Sequence, residues 1–181
     1  MEQENKTGLE VLFHQHSCSD FRWLDPREVA VRSWVRMKCR FGCRDYGKVV
    51  PCPPNLPSVP ECERFFRDYQ QAVLFHFAKQ VAKPEERHAW TKVVNAKLLK
   101  LERTVFLAGY HKAFVIYIDP CNFCAECPAS PADCLNPPIA RPSLEGLAVD
   151  VFATARQCGF PIQVLTEYAQ EMNRYGMLLV E

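Results

Sequence analysis

The chain has 181 residues, 48% of them hydrophobic and 12% aromatic, and a formal net charge of +1. This length suits one domain over residues 1–181 with a sizeable core, and the composition excludes a disordered polar chain. The near-neutral charge gives no electrostatic case for binding nucleic acid or an anionic membrane surface, and no apolar run approaches membrane length.

Met1-Glu2-Gln3-Glu4-Asn5-Lys6 is polar and lacks the basic-then-apolar order of a signal peptide. A cytoplasmic location is therefore expected, where clustered cysteines mean metal more often than disulfide. Residues 9–16 read as a first strand. His14 and His16 would share a face of it, as a solvated pair rather than as metal ligands. Residues 28–38 alternate Val29, Val31, Trp34 and Val35 with Arg32 and Arg36, an imperfect strand pattern.

The first cysteine loop follows. Cys39 and Cys43 stand four apart, and Cys52 lies in a rigid Pro51-Cys52-Pro53-Pro54 corner. These are three candidate metal ligands, with Cys62 as a candidate fourth; without Cys62 one iron of a cluster would stay open to substrate. Arg32, Arg36, Lys38, Arg40, Arg44 and Lys48 surround the loop. Such cations would offset the charge of a thiolate-ligated cluster or receive a small anionic substrate, unless they form only a solvated basic face.

Residues 61–69 suit a short helix after Pro60, and residues 71–78 a buried strand in which His76 is a core or sheet-face histidine. Pro84-Glu85-Glu86 opens the longest helix. Its apolar stripe of Trp90, Val93, Val94, Leu98, Leu101 and Val105 is interrupted only by Lys97, and Gly109 closes it. Residues 112–118 form a buried strand that delivers the chain into Cys121.

The second cysteine loop reads Cys121-x2-Cys124-x2-Cys127, with Cys134 seven residues further on. A zinc ion, with Zn–S of about 2.3 Å, usually takes cysteines in two pairs. A cuboidal iron–sulfur cluster is larger and takes one thiolate at each of several irons, so three ligands can come from one turning segment. Cys134 is the natural fourth ligand, although the six-residue gap leaves open which loop it serves. Pro128, Pro131, Pro137 and Pro138 stiffen the loop.

Beyond it, Ser143 is a candidate N-cap of a helix running to Gly159, whose amino end would lie beside an anionic cluster. Cys18 and Cys158 read as small buried residues. Residues 162–166 and 177–180 read as two closing strands. The expected fold is α/β: one domain with a mixed central β-sheet, packed helices and two cysteine-rich loops that meet at one edge.

With both loops in hand, the chain resembles the prokaryotic family described as predicted metal-binding proteins of unknown function. The resemblance rests on Cys39-x3-Cys43, Tyr46-Gly47-Lys48, Cys52-Pro53-Pro54, Leu101-Glu102-Arg103 with Phe106-Leu107-Ala108-Gly109-Tyr110, Cys121-x2-Cys124-x2-Cys127, Cys134, Arg141-Pro142-Ser143-Leu144-Glu145 and Asp150-Val151. It implies metal binding through Cys39, Cys43, Cys52, Cys121, Cys124, Cys127 and Cys134. Cys62 departs from the family pattern, which favours three first-loop ligands.

The leading expectation is a cytosolic iron–sulfur protein of anaerobic metabolism. It would hold one or two [4Fe-4S] clusters and transfer electrons to a redox partner protein. An enzyme with an open iron acting on a small anionic substrate beside Arg36, Arg40, Arg44 and Lys48 is the second expectation. A non-enzymatic zinc or assembly module is the third. No phosphate-loop, dinucleotide or G-x-S-x-G signature is present.

Overall fold

The apolar strands Val73–Phe75 and Met177–Leu179 are buried on both faces, so the sheet they form must be covered twice. The computed structural model, which describes residues 2–167 and 169–181, shows how. Four strands, β1 (Phe21–Leu24), β2 (Ala72–Lys79), β3 (Phe114–Ile116) and β4 (Met172–Leu179), lie in the order β1-β2-β4-β3. All three pairings are antiparallel, and a parallel bridge joins Tyr117 to Ser143 beyond the end of β3.

The period-two alternation of the strands sorts the core into two layers. Val73, Phe75, Val115, Tyr117 and Leu178 face α1 (Glu2–Gln15) and the long α4 (Pro84–Leu107), which supply Leu9, Phe13, Val94, Leu98, Leu101 and Val105. Leu74, Ile116, Met177 and Leu179 face the other way, onto Cys62 and Phe66 of α3 (Val59–Arg67), the turn 144–149 and Ala155 of α5 (Val151–Gln157). Gly176 lets α4 approach: a Cβ there would meet Leu98 Cδ1 at 2.7 Å and Ile118 Cγ2 at 3.1 Å.

The α/β class, the long helix, α3 and the central strands agree with the sequence reading. Four local expectations do not. Residues 9–15 are helical, because Leu9 and Phe13 are buried at i, i+4 spacing; a short apolar run does not distinguish strand from helix by itself. Residues 29–31 are extended, with Val31 bridged to Val149, but residues 33–42 form α2 (Ser33–Gly42), in which Arg, Met and Lys favour the helix.

Ser143 opens a buried turn, where its Oγ accepts from the Gly146 N–H at 3.2 Å. Asp150 caps α5 instead, accepting from the Ala153 N–H at 3.0 Å. Residues 162–166 form no strand, and the closing strand starts earlier, at Met172. Among the described residues no helix is long and apolar enough to cross a membrane.

Candidate metal centre

The second cysteine loop has little regular structure of its own, only the 3-10 turns Pro131–Asp133 and Pro137–Ile139, so its shape must come from what it is tied to. Its entry is tied to one face of α4. The Asn95 carboxamide accepts from the Ile118 N–H at 3.2 Å, Asn122 Nδ2 donates to His88 O and Thr91 Oγ1, and Lys92 Nζ donates to Phe123 O at 3.0 Å. Arg87 grips Asp119 through Nη2 at 2.7 and 2.9 Å and Nε at 3.2 Å.

The exit is tied to the same helix. Arg141 meets Glu102 in a two-point ion pair at 2.9 and 3.0 Å and also donates to the carbonyls of Pro138 and Ala140. Glu102 accepts from the Val115 N–H at 2.8 Å, and the Tyr117 hydroxyl donates to Ile139 O at 2.8 Å.

Between these ties, Cys121, Cys124, Cys127 and Cys134 line one cavity of about 30 Å³, which Val50 and Pro51 of the first loop also line. Two donors already address sulfur: the Val50 N–H reaches Cys127 Sγ at 3.3 Å, and Asn136 Nδ2 reaches Cys124 Sγ at 3.4 Å. Asn55 Nδ2 donates to Ala129 O at 2.7 Å, a second tie between the loops; Ala129 itself has a positive φ of 64°.

The first three cysteines are arranged differently from the loop expected. Cys39 lies in the last turn of α2 and Cys43 caps that helix, its N–H donating to Cys39 O at 3.4 Å. Cys52 is buried in the following turns, within electrostatic reach of Cys39, Cys43 and Cys121. Burial, reinforced by the neighbouring thiols, pushes Cys52 up to about 12. Cys39 and Cys121 are also raised by burial, against the pull of Arg36 on Cys39 and of the Phe123 amide on Cys121.

All ten cysteines are free thiols. Cys62 sits in the core, donating to Pro57 O at 3.5 Å, with the Arg36 guanidinium 3.8 Å from its sulfur. Cys18 is buried just after α1, its N–H donating to Phe13 O, and Cys158 is half-buried at the end of α5. His16 pairs with Thr104, His14 with Ser19, and His76 with Asp20 and Asn173 while stacked on Tyr175. Among the described residues, no three His, Cys, Asp or Glu side chains are already drawn together to the geometry of a single metal ion.

The cations expected to receive an anion are differently placed. Arg36 holds the carbonyls of Pro57 and Gly146, and Arg40 lies over Phe41. A second, much larger cavity of about 1180 Å³ instead gathers Lys38, Arg87 and Arg174 with Glu145, Asp150 and Glu167, and Cys39 and Cys43 stand in its wall. Burial raises Glu145; burial and the nearby Arg87 lower Arg174.

The sequence reading missed Arg87, Thr91, Asn95 and Asp119. Thr91 and Asn95 are fully buried polar residues four apart on α4, opposite to what a solvated face requires, and Arg87 extends that row by another turn. The donor set suits a thiolate-bound metal or cluster: four cysteines share one cavity, with N–H groups aimed at two of them. No curated protein and no solved structure matches the chain. Residues 22–180, which contain both cysteine groups and every tie described above except those of the His14 and Asp20 side chains and of His16, match the family described as "Predicted metal-binding protein (DUF2284)", and the chain belongs to that family.

Proposed function

We propose that the chain is a cytoplasmic iron–sulfur protein of anaerobic redox metabolism that passes electrons to a partner protein. Its two cysteine groups would hold one or two [4Fe-4S]-type clusters, through Cys121, Cys124, Cys127 and Cys134 and through Cys39, Cys43 and Cys52. The observation that carries this reading is the pair of N–H donors aimed at Cys127 and Cys124. Such donors stabilise negative charge on sulfur and tune the potential of thiolate-bound clusters. The bound cluster supplies reversible one-electron uptake.

The chain's own residues do the rest. The α4 ties fix the ends of the second loop, Val50 and Asn136 set the polarity around its sulfurs, and Cys52 is itself buried. Anaerobic purification should give a brown protein with iron and sulfide in cluster ratio, two cluster types or one by Mössbauer spectroscopy, and an EPR signal after reduction. A colourless protein with stoichiometric zinc overturns the reading.

Zinc is the second reading, favoured by the size of the second-loop cavity. About 30 Å³ is close to the share of one water molecule. Four thiols would close on one zinc with smaller movements than on a cuboidal cluster, and the chain would then be a structural or assembly module.

A further inference from the structure

The cavity of about 1180 Å³ exceeds the roughly 300–1,000 Å³ usual for small-molecule sites. Its walls are mainly apolar, with Trp34, Val35, Phe152, Ile162 and Leu165 from α2, α5 and the segment after α5. The charged residues on these walls balance, Lys38, Arg87 and Arg174 against Glu145, Asp150 and Glu167, but they are unequally paired. Arg87 is held by Asp119. The Arg174 side chain, on β4 opposite Phe77, lines the cavity and makes no hydrogen bond and no ion pair among the described residues, with Asp119 and Glu145 the carboxylates within its electrostatic reach. A half-buried guanidinium without a hydrogen-bond partner costs free energy that an acceptor in the cavity its side chain lines would offset.

A planar fork of N–H donors at one point of an apolar chamber matches a carboxylate attached to a large apolar body. We infer that this cavity binds an organic carboxylate with a bulky apolar body, its carboxylate on Arg174 and its body along Trp34, Phe152 and Ile162. The volume disfavours the two- or three-carbon anions that a cluster of surface arginines would attract. Because Cys39 and Cys43 stand in the same wall, the ligand lies beside the first cysteine group. Any role for it as electron donor or acceptor rests on the iron–sulfur reading above; its binding does not.

The test is calorimetric titration of the anaerobically purified full chain with 4-phenylbutyrate, its neutral amide and acetate, alongside iron and sulfide counts on the same preparation. The acid should bind about tenfold or more tightly than the amide, as expected for a charge-assisted pair, and acetate should bind far more weakly than the acid. Arg174→Gln should remove the preference for the acid while leaving amide binding unchanged. Equal binding of acid and amide, no binding of the acid in the millimolar range, or an unaltered acid preference in Arg174→Gln overturns the inference. If Arg174→Gln fails to fold by circular dichroism, the acid–amide comparison on the wild-type chain decides alone. A preparation without iron that still prefers the acid refutes the cluster reading and leaves this one standing.

Discussion

The Arg141–Glu102 pair offers a quantitative test of how the second loop is held. The two side chains are only 19% and 9% exposed, meet at two points, and carry further bonds to Val115, Pro138 and Ala140. Glu102→Ala strands a mostly buried guanidinium and leaves the Val115 N–H without its acceptor; Arg141→Met strands a carboxylate. Breaking one side of such a pair costs about 3–5 kcal/mol, a large share of the roughly 5–15 kcal/mol that holds a domain together. The double variant removes both charges, so it should be less destabilised than the sum of the singles by about 1–3 kcal/mol. Urea unfolding followed by circular dichroism, at equal metal content, closes the cycle. A coupling energy within about 0.5 kcal/mol of zero would refute the claim that the pair acts as one unit.

Three further outcomes are expected. Asn136→Ala removes an N–H that stabilises charge on Cys124 sulfur, so an iron–sulfur centre there should shift to lower potential in protein-film voltammetry; an unchanged or raised potential counts against the donor's role. Gly176→Ala places a methyl against Leu98, Ile118 and the Ile116 carbonyl in a fully buried layer, and should cost about 1–3 kcal/mol in the same urea assay, whereas a neutral result would mean that α4 shifts freely. Metal affinity should fall as pH falls. Cys52, pushed up to about 12, and the raised Cys39 and Cys121 carry protons at neutral pH that metal must displace, about tenfold in affinity per pH unit for each proton released. Chelator competition at about pH 6.5 and 8.5 measures this, and a pH-independent affinity would contradict it.

What the sequence disclosed was what periodicity and spacing encode. Most of the α4 stripe, the central buried strands and the C-x2-C-x2-C segment are local patterns and stand where expected, but Val93 of the stripe is 64% exposed and residues 162–166 form no strand. Even Lys97, the interruption in the stripe, is accommodated by extending its amine to Ser17 O with the head over Phe77. Residues 9–15 and 33–38 suggest strand yet are helical, because four or five apolar residues fit either period until their tertiary partners are known. The polar anchors were hidden for a deeper reason. Nothing local distinguishes a threonine or asparagine facing water from one that bonds to a segment about thirty residues away, as Thr91 does to Asn122.

Those anchors explain why the cysteine loop can do without regular structure. Asn95 holds the entry at Ile118 and Asp119, and Glu102 holds the exit at Arg141. The two anchors are seven residues apart on one helix, two turns or about 10 Å along its axis. The separation of the loop's ends is therefore set by α4, which the adjoining positions Val94, Leu98, Leu101 and Val105 lock into the core beside the sheet. Among the described residues, the hydrogen bonds from the first cysteine group's segment reach the loop further along, from Val50 to Cys127 and from Asn55 to Ala129. The two sets of ties thus divide the work. Substitutions at Asn95 or Glu102 should disturb the loop with or without metal, whereas Asn55→Ala should leave the loop's ends in place and weaken only the meeting of the two cysteine groups. Hydrogen exchange of residues 118–123, compared between Asn95→Ala and Asn55→Ala, separates the two: equal protection loss in both variants would show that α4 does not set the loop's frame.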